Sequence, residues 1–332
     1  MEKYGNVHES CCSASSNKLR VFEAFAGYGG ASFALKRSGI PHEIVGYSEN
    51  DRFAIELYEA NHPGIKNYGD ITKIKPKELP PFDLFTGGFP CQPFSSAGLG
   101  KGELDIRGTL FYDIVRICDV KRPKHILLEN VKGLTTSRHG RTMKKIREEL
   151  GKLGYDVITE LLNSKDYGIP QNRVRVWIYA YHGSLPPDFQ LEPPREPLRV
   201  FFMDMLDKNP DPELFRNERQ IDRLKEKHGL DFIVSEPLCA DLYNKTIRED
   251  RVCITITEPH HNCMRVVHPP KGGTLRVRKL SVNEHFRLMG FGDGEIVLPN
   301  HSYQQLCKRA ANGWDVNLVP KILKQIFRQV EL

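Results

Sequence analysis

Residues 19–39 read LRVFEAFAGYGGASFALKRSG, and the fold turns on how that stretch is read. A short apolar run ends in a turn carrying Gly27, Gly29 and Gly30. Apolar residues then recur at helical spacing until Gly39. A strand, a glycine turn and an amphipathic helix in that order open a βαβ unit of the dinucleotide-binding kind. Glycines at such a turn let the backbone approach a ligand closely. A second strand, residues 44–47, leads to Glu49, about twenty residues past the turn, where an acid can hold ribose hydroxyls. The spacing FxGxGG differs from GxGxxG and leaves no slack for a pyrophosphate. It points away from NAD and toward an adenosine ligand without phosphates.

Moving outward, ENDRFAIELYEANHPG has helical spacing, and GDIT places Asp70 where a third strand is expected to end. Glu49 and Asp70 can equally be helix-capping acids. Residues 83–98, DLFTGGFPCQPFSSAG, read as a buried strand broken by Gly87, Gly88 and Pro90, with Cys91 on the loop that follows. Prolines on both sides restrict the backbone of Cys91, which suits a positioned nucleophile. No adjacent residue is cationic, so a small buried cysteine is an equal reading of this loop alone. In doubly wound sheets ligands lie at the carboxyl ends of strands, so Gly27, Glu49, Asp70 and Cys91 are expected to share one edge.

Beyond a charged loop at residues 98–108, TLFYDIVRICDV has helical periodicity and HILLEN is a strand ending on Glu129. A buried acid there can stay protonated and donate a hydrogen bond, or can cap the next helix. A helix over about 142–153 precedes an alternating strand that sets Arg173, Arg175 and Trp177 on one face. The two arginines serve phosphate or carbonyl contacts if that face borders a cleft, and are solvated if it is surface. Prolines cluster from residue 186 and the βα rhythm stops, marking a domain boundary near 190. The segment RVCITIT reads as a strand, RVRKLSVNEHFRLMGFGD as a basic helix-like segment, and the last residues as an amphipathic helix returning to the first domain.

The chain has 332 residues, 39% of them hydrophobic, enough for a large domain and a smaller one. No run approaches the roughly 18 apolar residues of a membrane span, and the N-terminus carries no signal pattern, so a soluble cytoplasmic protein is expected. The eight cysteines are scattered without CxxC or zinc spacing, so neither disulfides nor metal are expected. A net charge of +6 permits a polyanionic partner without demanding one.

In order, FAGYGG, YSEND, GDIT, GFPCQPFS, RGTLF, ENVKGL, YGIPQNRVRV and RKLSVNEHFRLMGF resemble the motifs of the cytosine-5 DNA methyltransferases of bacterial and phage type. The resemblance implies an α/β fold, a Rossmann-like S-adenosylmethionine-dependent methyltransferase sheet with a second, smaller target-recognition domain. The divisions it suggests are a flexible arm at 1–18, a catalytic domain at 19–189 and a recognition domain at 190–276. A hinge with the basic motif follows at 277–310, then a C-terminal helix at 311–332. It implies Cys91, Glu129, Arg173 and Arg175 as catalytic residues. For S-adenosyl-L-methionine it implies Phe25, Gly27, Gly29, Glu49, Asp70, Pro90, Leu110 and Asn312, with Ala311 where the family commonly has glycine. Ser95, Gln171, Arg248, Arg251 and Thr255 are the expected DNA contacts. Double-stranded DNA is the expected partner of a monomer, and a restriction endonuclease acting on the same site can accompany it. A tRNA-acting relative is the second reading, although the Cys-Phe-Thr signature of those enzymes is missing. A catalytically inactive DNA-binding regulator is the third.

Overall fold

The computed structural model describes residues 18–90, 110–135 and 140–332. Cys91, Ser95, the charged loop and the N-terminal arm up to residue 17 lie outside the described residues. The chain runs β1 (Leu19–Ala24), α1 (Gly30–Ser38), β2 (His42–Ser48), α2 (Arg52–Asn61), β3 (Leu84–Gly88), α3 (Leu110–Lys121), β4 (His125–Val131), α4 (Gly140–Lys152), β5 (Tyr155–Asn163), β6 (Gln171–Asn172) and β7 (Val174–His182). It continues through α5 (Glu218–His228), β8 (Leu238–Asp241), β9 (Thr246–Arg248), β10 (Cys253–Ile254), β11 (Met264–Lys271), β12 (Thr274–Arg278), α6 (Val282–Arg287), α7 (Tyr303–Asn312) and α8 (Leu318–Phe327).

The large sheet has the order β2-β1-β3-β4-β7-β5. Strands β1 to β4 pair in parallel, and β7 is inserted antiparallel between β4 and β5. Its strands are apolar on both faces because both faces are covered. Phe22, Phe85, Ile126, Leu128, Val176 and Ile178 pack under α3 and α4. Their alternates Val21, Leu84, Leu127, Trp177 and Tyr179 pack against α1 and α8. The terminal helix α8 thus completes the layer on one face of the large sheet, with Leu318, Val319, Ile322, Leu323 and Ile326 all buried.

The small sheet, in the order β12-β11-β8-β9, is antiparallel and carries α5 on one face through Ile221, Val267 and Val277. Its other face joins Cys239 and Val266 to Tyr28, Leu57, Phe286, Leu306 and Ala310, so a shared core holds the two parts together. A further ladder crosses between them: β6 pairs with β10. Several expected boundaries shift. Position 276 falls inside β12, and the basic stretch after it is strand followed by helix rather than helix throughout. The 310/311 division cuts α7. Only Cys253–Ile254 of RVCITIT is strand; Thr255 and Ile256 continue the contacts with residues 171–172 through side-chain hydrogen bonds.

Among the described residues, the strand expected to end at Asp70 does not form. Asn67 makes one isolated bridge to Tyr47, and Asp70 instead caps the single helical turn Ile71–Lys73, accepting the Thr72 amide at 3.0 Å. A run of Pro, Gly and Lys around it supplies too few apolar residues to bury a strand edge.

At the other joint, Arg278 and Glu284 form a bidentate pair with both side chains fully buried, Nη1 and Nη2 each 2.7 Å from a carboxylate oxygen. The same carboxylate accepts the amides of Ser281 and Asp207, and Arg278 Nε donates to His268 Nε2 at 2.8 Å. That histidine must be neutral to accept. Burial, then Arg278 and Arg276, pull its pKa down to about 4.

Candidate active site

A cavity of about 470 Å³ opens at the carboxyl ends of β1, β2, β3 and β4. Its residues come from local rules of chain geometry. Phe25 follows β1 at φ 52°, a left-handed conformation uncommon outside glycine, and Gly27 comes next but one at φ 57°. Strained backbone of this kind persists where surrounding packing enforces it. Gly29 N-caps α1 at φ 84°, and a Cβ there would meet the His62 ring at 2.4 Å. Neither Gly29 nor its amide borders the cavity, so its part is to shape the turn.

Glu49 is fixed by backbone donors: the Gly27 amide at 3.0 Å, and those of Asn50 and Asp51 at 2.9 and 3.0 Å. The glycine turn and the acid at the end of β2 are therefore one unit. Asp51, the last residue of YSEND, N-caps α2 by accepting from Phe53 and Ala54, and also pairs with Arg309 of α7. Burial works against its ionisation, but Arg309 and those amides outweigh it and hold the pKa below the usual carboxylate value. Asp70 lies on the same wall. As the cap of Ile71–Lys73 it accepts the Thr72 hydroxyl and amide, and those hydrogen bonds hold its pKa down.

Across the floor, Glu129 of β4 faces Arg175 of β7, with Nε to Oε1 at 2.8 Å. Both side chains are mostly buried, at 13% and 15% exposure. Antiparallel pairing sets Glu129 opposite Trp177 and Arg175 opposite Val131, which brings the acid and the arginine onto one face. Arg173, just before β7, is buried and donates Nη2 to the carbonyls of Ala311 and Gly313 at 3.1 and 2.9 Å. Its Nη1 is buried without a partner. Burial, then the neighbouring Arg175, pull its pKa down to about 9, so it remains charged at neutral pH.

The C-terminal wall is set by Gly313, where a Cβ would meet the Tyr28 ring at 1.9 Å. Ala311 is buried in the shared core, so its methyl group is accommodated. Asn312 Nδ2 donates to Glu258 Oε1 at 2.7 Å, reaching across to the small domain. Glu258 and Lys308 also line the cavity, and nothing in the sequence pattern singles them out.

Of the positions expected from sequence, Phe25, Gly27, Glu49, Asp70, Pro90, Leu110, Glu129, Arg173, Arg175 and Asn312 border this one cavity. Cys91 is covalently next to Pro90. The thiols of Cys118, Cys239, Cys253 and Cys307 are buried, and desolvation pushes each upward, which removes those four as thiolates at neutral pH.

The expected DNA contacts fare differently. Gln171 is fully buried, giving Nε2 to Leu288 O at 2.7 Å and accepting the Ile256 amide at 3.0 Å. Its carboxamide is used inside the protein. Arg248 is paired with Asp250, and Arg251 with Glu236 at 2.6 Å and the Phe201 ring. Thr255 gives its hydroxyl to Asn172 O at 2.7 Å. Arg248 and Thr255 do border a polar groove of about 310 Å³ with Tyr243 and His261, whereas Arg251 does not.

Among the described residues no group of His, Cys, Asp and Glu is arranged to hold a metal, and no helix is long and apolar enough to cross a membrane.

Comparison with known proteins gives one consistent result. The family described as C-5 cytosine-specific DNA methylase matches residues 19–328. The chain is 35% identical over 314 residues to the Type II methyltransferase M.NgoBI of Neisseria gonorrhoeae, covering 90% of each. It is 34% identical over 324 residues to the Type II methyltransferase M.HaeII of Haemophilus aegyptius, covering 95% of each. Among solved structures, S. pombe Dnmt2 methyltransferase superposes with a TM-score of 0.68 at 19% identity, covering 95% of this chain and 100% of that one, a likeness of fold.

Proposed function

Since the chain belongs to the C-5 cytosine-specific DNA methylase family, we propose that it methylates carbon 5 of a cytosine flipped out of a specific duplex sequence, through a covalent adduct of Cys91. The observation that carries this reading is the convergence of Glu129, Arg175, Glu49 and Asp70 on one cavity bordered by Pro90, the residue that precedes Cys91 in the sequence. The residues fit S-adenosylmethionine as the ligand. Phe25, Ile71 and Leu110 offer apolar walls to an adenine, Glu49 and Asp70 offer acceptors to hydroxyl and amino groups, and the volume suits a nucleoside with a short tail. When bound, that group supplies an electrophilic methyl on a sulfonium.

Carbon 5 of cytosine is a poor nucleophile, and Cys91 addresses this by forming an Sγ–C6 bond that moves electron density onto carbon 5. Glu129 holds the N3 edge of the base, and Arg175 holds the carbonyl oxygen where negative charge gathers. The pair already aligned between these two fixes their geometry before the base arrives. After methylation the proton on carbon 5 leaves to a base, the Sγ–C6 bond breaks and Cys91 is restored. Bringing the base to this floor requires its removal from the stack, at a cost of a few kcal/mol that backbone contacts offset. The relatives' names support a restriction-modification role. A cognate endonuclease sharing the site, and action as a monomer, belong to the same proposal.

Transfer of labelled methyl by wild type and Cys91→Ala, to duplex DNA and to bulk tRNA in parallel, tests the reading. Label in DNA that vanishes in the variant is expected. Label only in tRNA would move the substrate class, and activity surviving in the variant would remove Cys91 as nucleophile.

A further inference from the structure

One corner of the small sheet gathers three cations without a counter-charge. Val266 of β11 pairs with Arg278 of β12, so one step further the register sets Arg265 opposite Lys279. On the other side of β12 the chain runs extended, with Arg216 N donating to Val277 O at 2.8 Å and Lys279 N to Leu214 O at 3.1 Å. Alternation therefore puts Arg216, Arg265 and Lys279 on one face, opposite the one on which Arg278 is buried.

All three are half-buried, and none makes an ion pair among the described residues. Arg265 spends Nη1 on the carbonyls of Asn262 and Met264, at 3.1 and 2.6 Å, and its Nε is buried with no partner. Lys279 Nζ lies 5.7 Å from the Tyr303 ring centroid. The crowding is felt: burial, then Arg216, depress Arg265, and burial, then Arg216 and Arg265, depress Lys279. Arg248, Arg251 and Arg287 have carboxylate partners, in Asp250, Glu236, and Asp207 with Asp293, whereas Arg276 of β12 lies over the Phe215 ring on the opposite face of the sheet. Like charges held together in partial desolvation gain when an anion enters between them.

The position identifies the anion. Arg265 grips the carbonyl of Asn262, between His261 and Cys263, both of which line the polar groove of the small domain. The neighbouring segment, through Glu258, reaches the catalytic cavity. We propose that Arg216, Arg265 and Lys279 bind a backbone phosphate of the duplex DNA, outside the cavity and beside the groove. The proposal rests on the DNA reading above. A phosphate contact of this kind fixes the register of the duplex and carries no base information.

Binding of a duplex containing the methylated site, followed by anisotropy across a salt series, tests it. Arg216→Gln, and separately the double variant Arg216→Gln with Lys279→Gln, should flatten the dependence of log K on log salt by about 0.9 for each phosphate no longer neutralised. The weakening should be equal for duplexes with and without the site, and the charge-keeping double variant Arg216→Lys with Lys279→Arg should keep the wild-type slope. A wild-type slope in both glutamine variants overturns the proposal and leaves the methyl-transfer reading standing. Weakening confined to the site-containing duplex also overturns it, since the residues would then be reading bases. Failure of wild type to label duplex DNA at all is the separate result that would remove the reading beneath it.

Discussion

The cavity at the strand ends and the corner of the small sheet both concentrate charge, but the cavity holds ion pairs between opposite charges and the corner holds none among the described residues. Glu129 is matched by Arg175, and Asp51 by Arg309. Arg216, Arg265 and Lys279 lie near one another, and none has a carboxylate partner among the described residues. A third arrangement, Arg278 with Glu284, is matched and sealed from water altogether. Pairing and solvent access, rather than the number of charges, separate the cavity floor, the sealed joint and the unpaired corner.

The sharpest way to break this contrast is Arg278→Met, which strands the Glu284 carboxylate at zero exposure. It should cost about 3–5 kcal/mol, read as a shift of the urea midpoint. A near-neutral result would show that the joint tolerates an unpaired acid. Glu129→Gln, in the half-open pair, should instead lower methyl transfer by about 10²–10³, roughly 3–4 kcal/mol of transition-state stabilisation, with cofactor affinity retained in calorimetry. Loss of stability comparable to Arg278→Met would erase the distinction between the two pairs.

Acid titration probes the joint through His268. Its folded-state pKa of about 4 lies below the ordinary value of 6.5, so the unfolded chain takes up the proton first. Its contribution is therefore complete above pH 6.5 and is lost as pH falls from there toward 4, on the order of 3 kcal/mol at the end of the window. His268→Gln should flatten the wild-type decline in denaturation midpoint over that window by about one proton. An unchanged slope would place the titration elsewhere. The smallest effect is expected at Asp51→Ala, which removes the cap of α2 and the partner of Arg309, for about 1–2 kcal/mol. A melting shift no larger than that of an exposed control such as Glu78→Ala would show that the cap and pair add nothing.

Much of the site is legible in the sequence because it is local. The glycine turn, Glu49 twenty-two residues beyond Gly27, and the alternation through Arg175 are written in spacing alone, and the sheet then delivers them to one edge. What sequence hides is mostly competition for partners. Arg248 and Arg251 look like guanine readers until Asp250 and Glu236 claim them, and Gln171 looks like a groove contact until two backbone groups bury it. Asp70 is expected at a strand end only if the βα rhythm extends across a segment too poor in apolar residues to sustain it. Some signals are present but easily overlooked: Ser281 and Glu284 form an S-x-x-E capping box that marks α6 inside a segment otherwise read as one helix. Glu258 and Arg309 have no local mark, since each meets the cavity only through long-range packing.

The ladder between β6 and β10 sets a limit on how far the two halves of the protein act independently. Residues 171 and 172 belong to it, and Arg173 and Arg175 follow within three positions, a span of about 10 Å of extended chain. Gln171 closes the same joint from its side chain, tying Ile256 and Leu288 to the strand that carries the arginines. The small sheet and the strand that carries Arg175 therefore share one mechanical linkage with almost no slack. On the function proposed above, a duplex that seats imperfectly on the small sheet would displace the groups proposed to hold its cytosine, and one short length of backbone would gauge both.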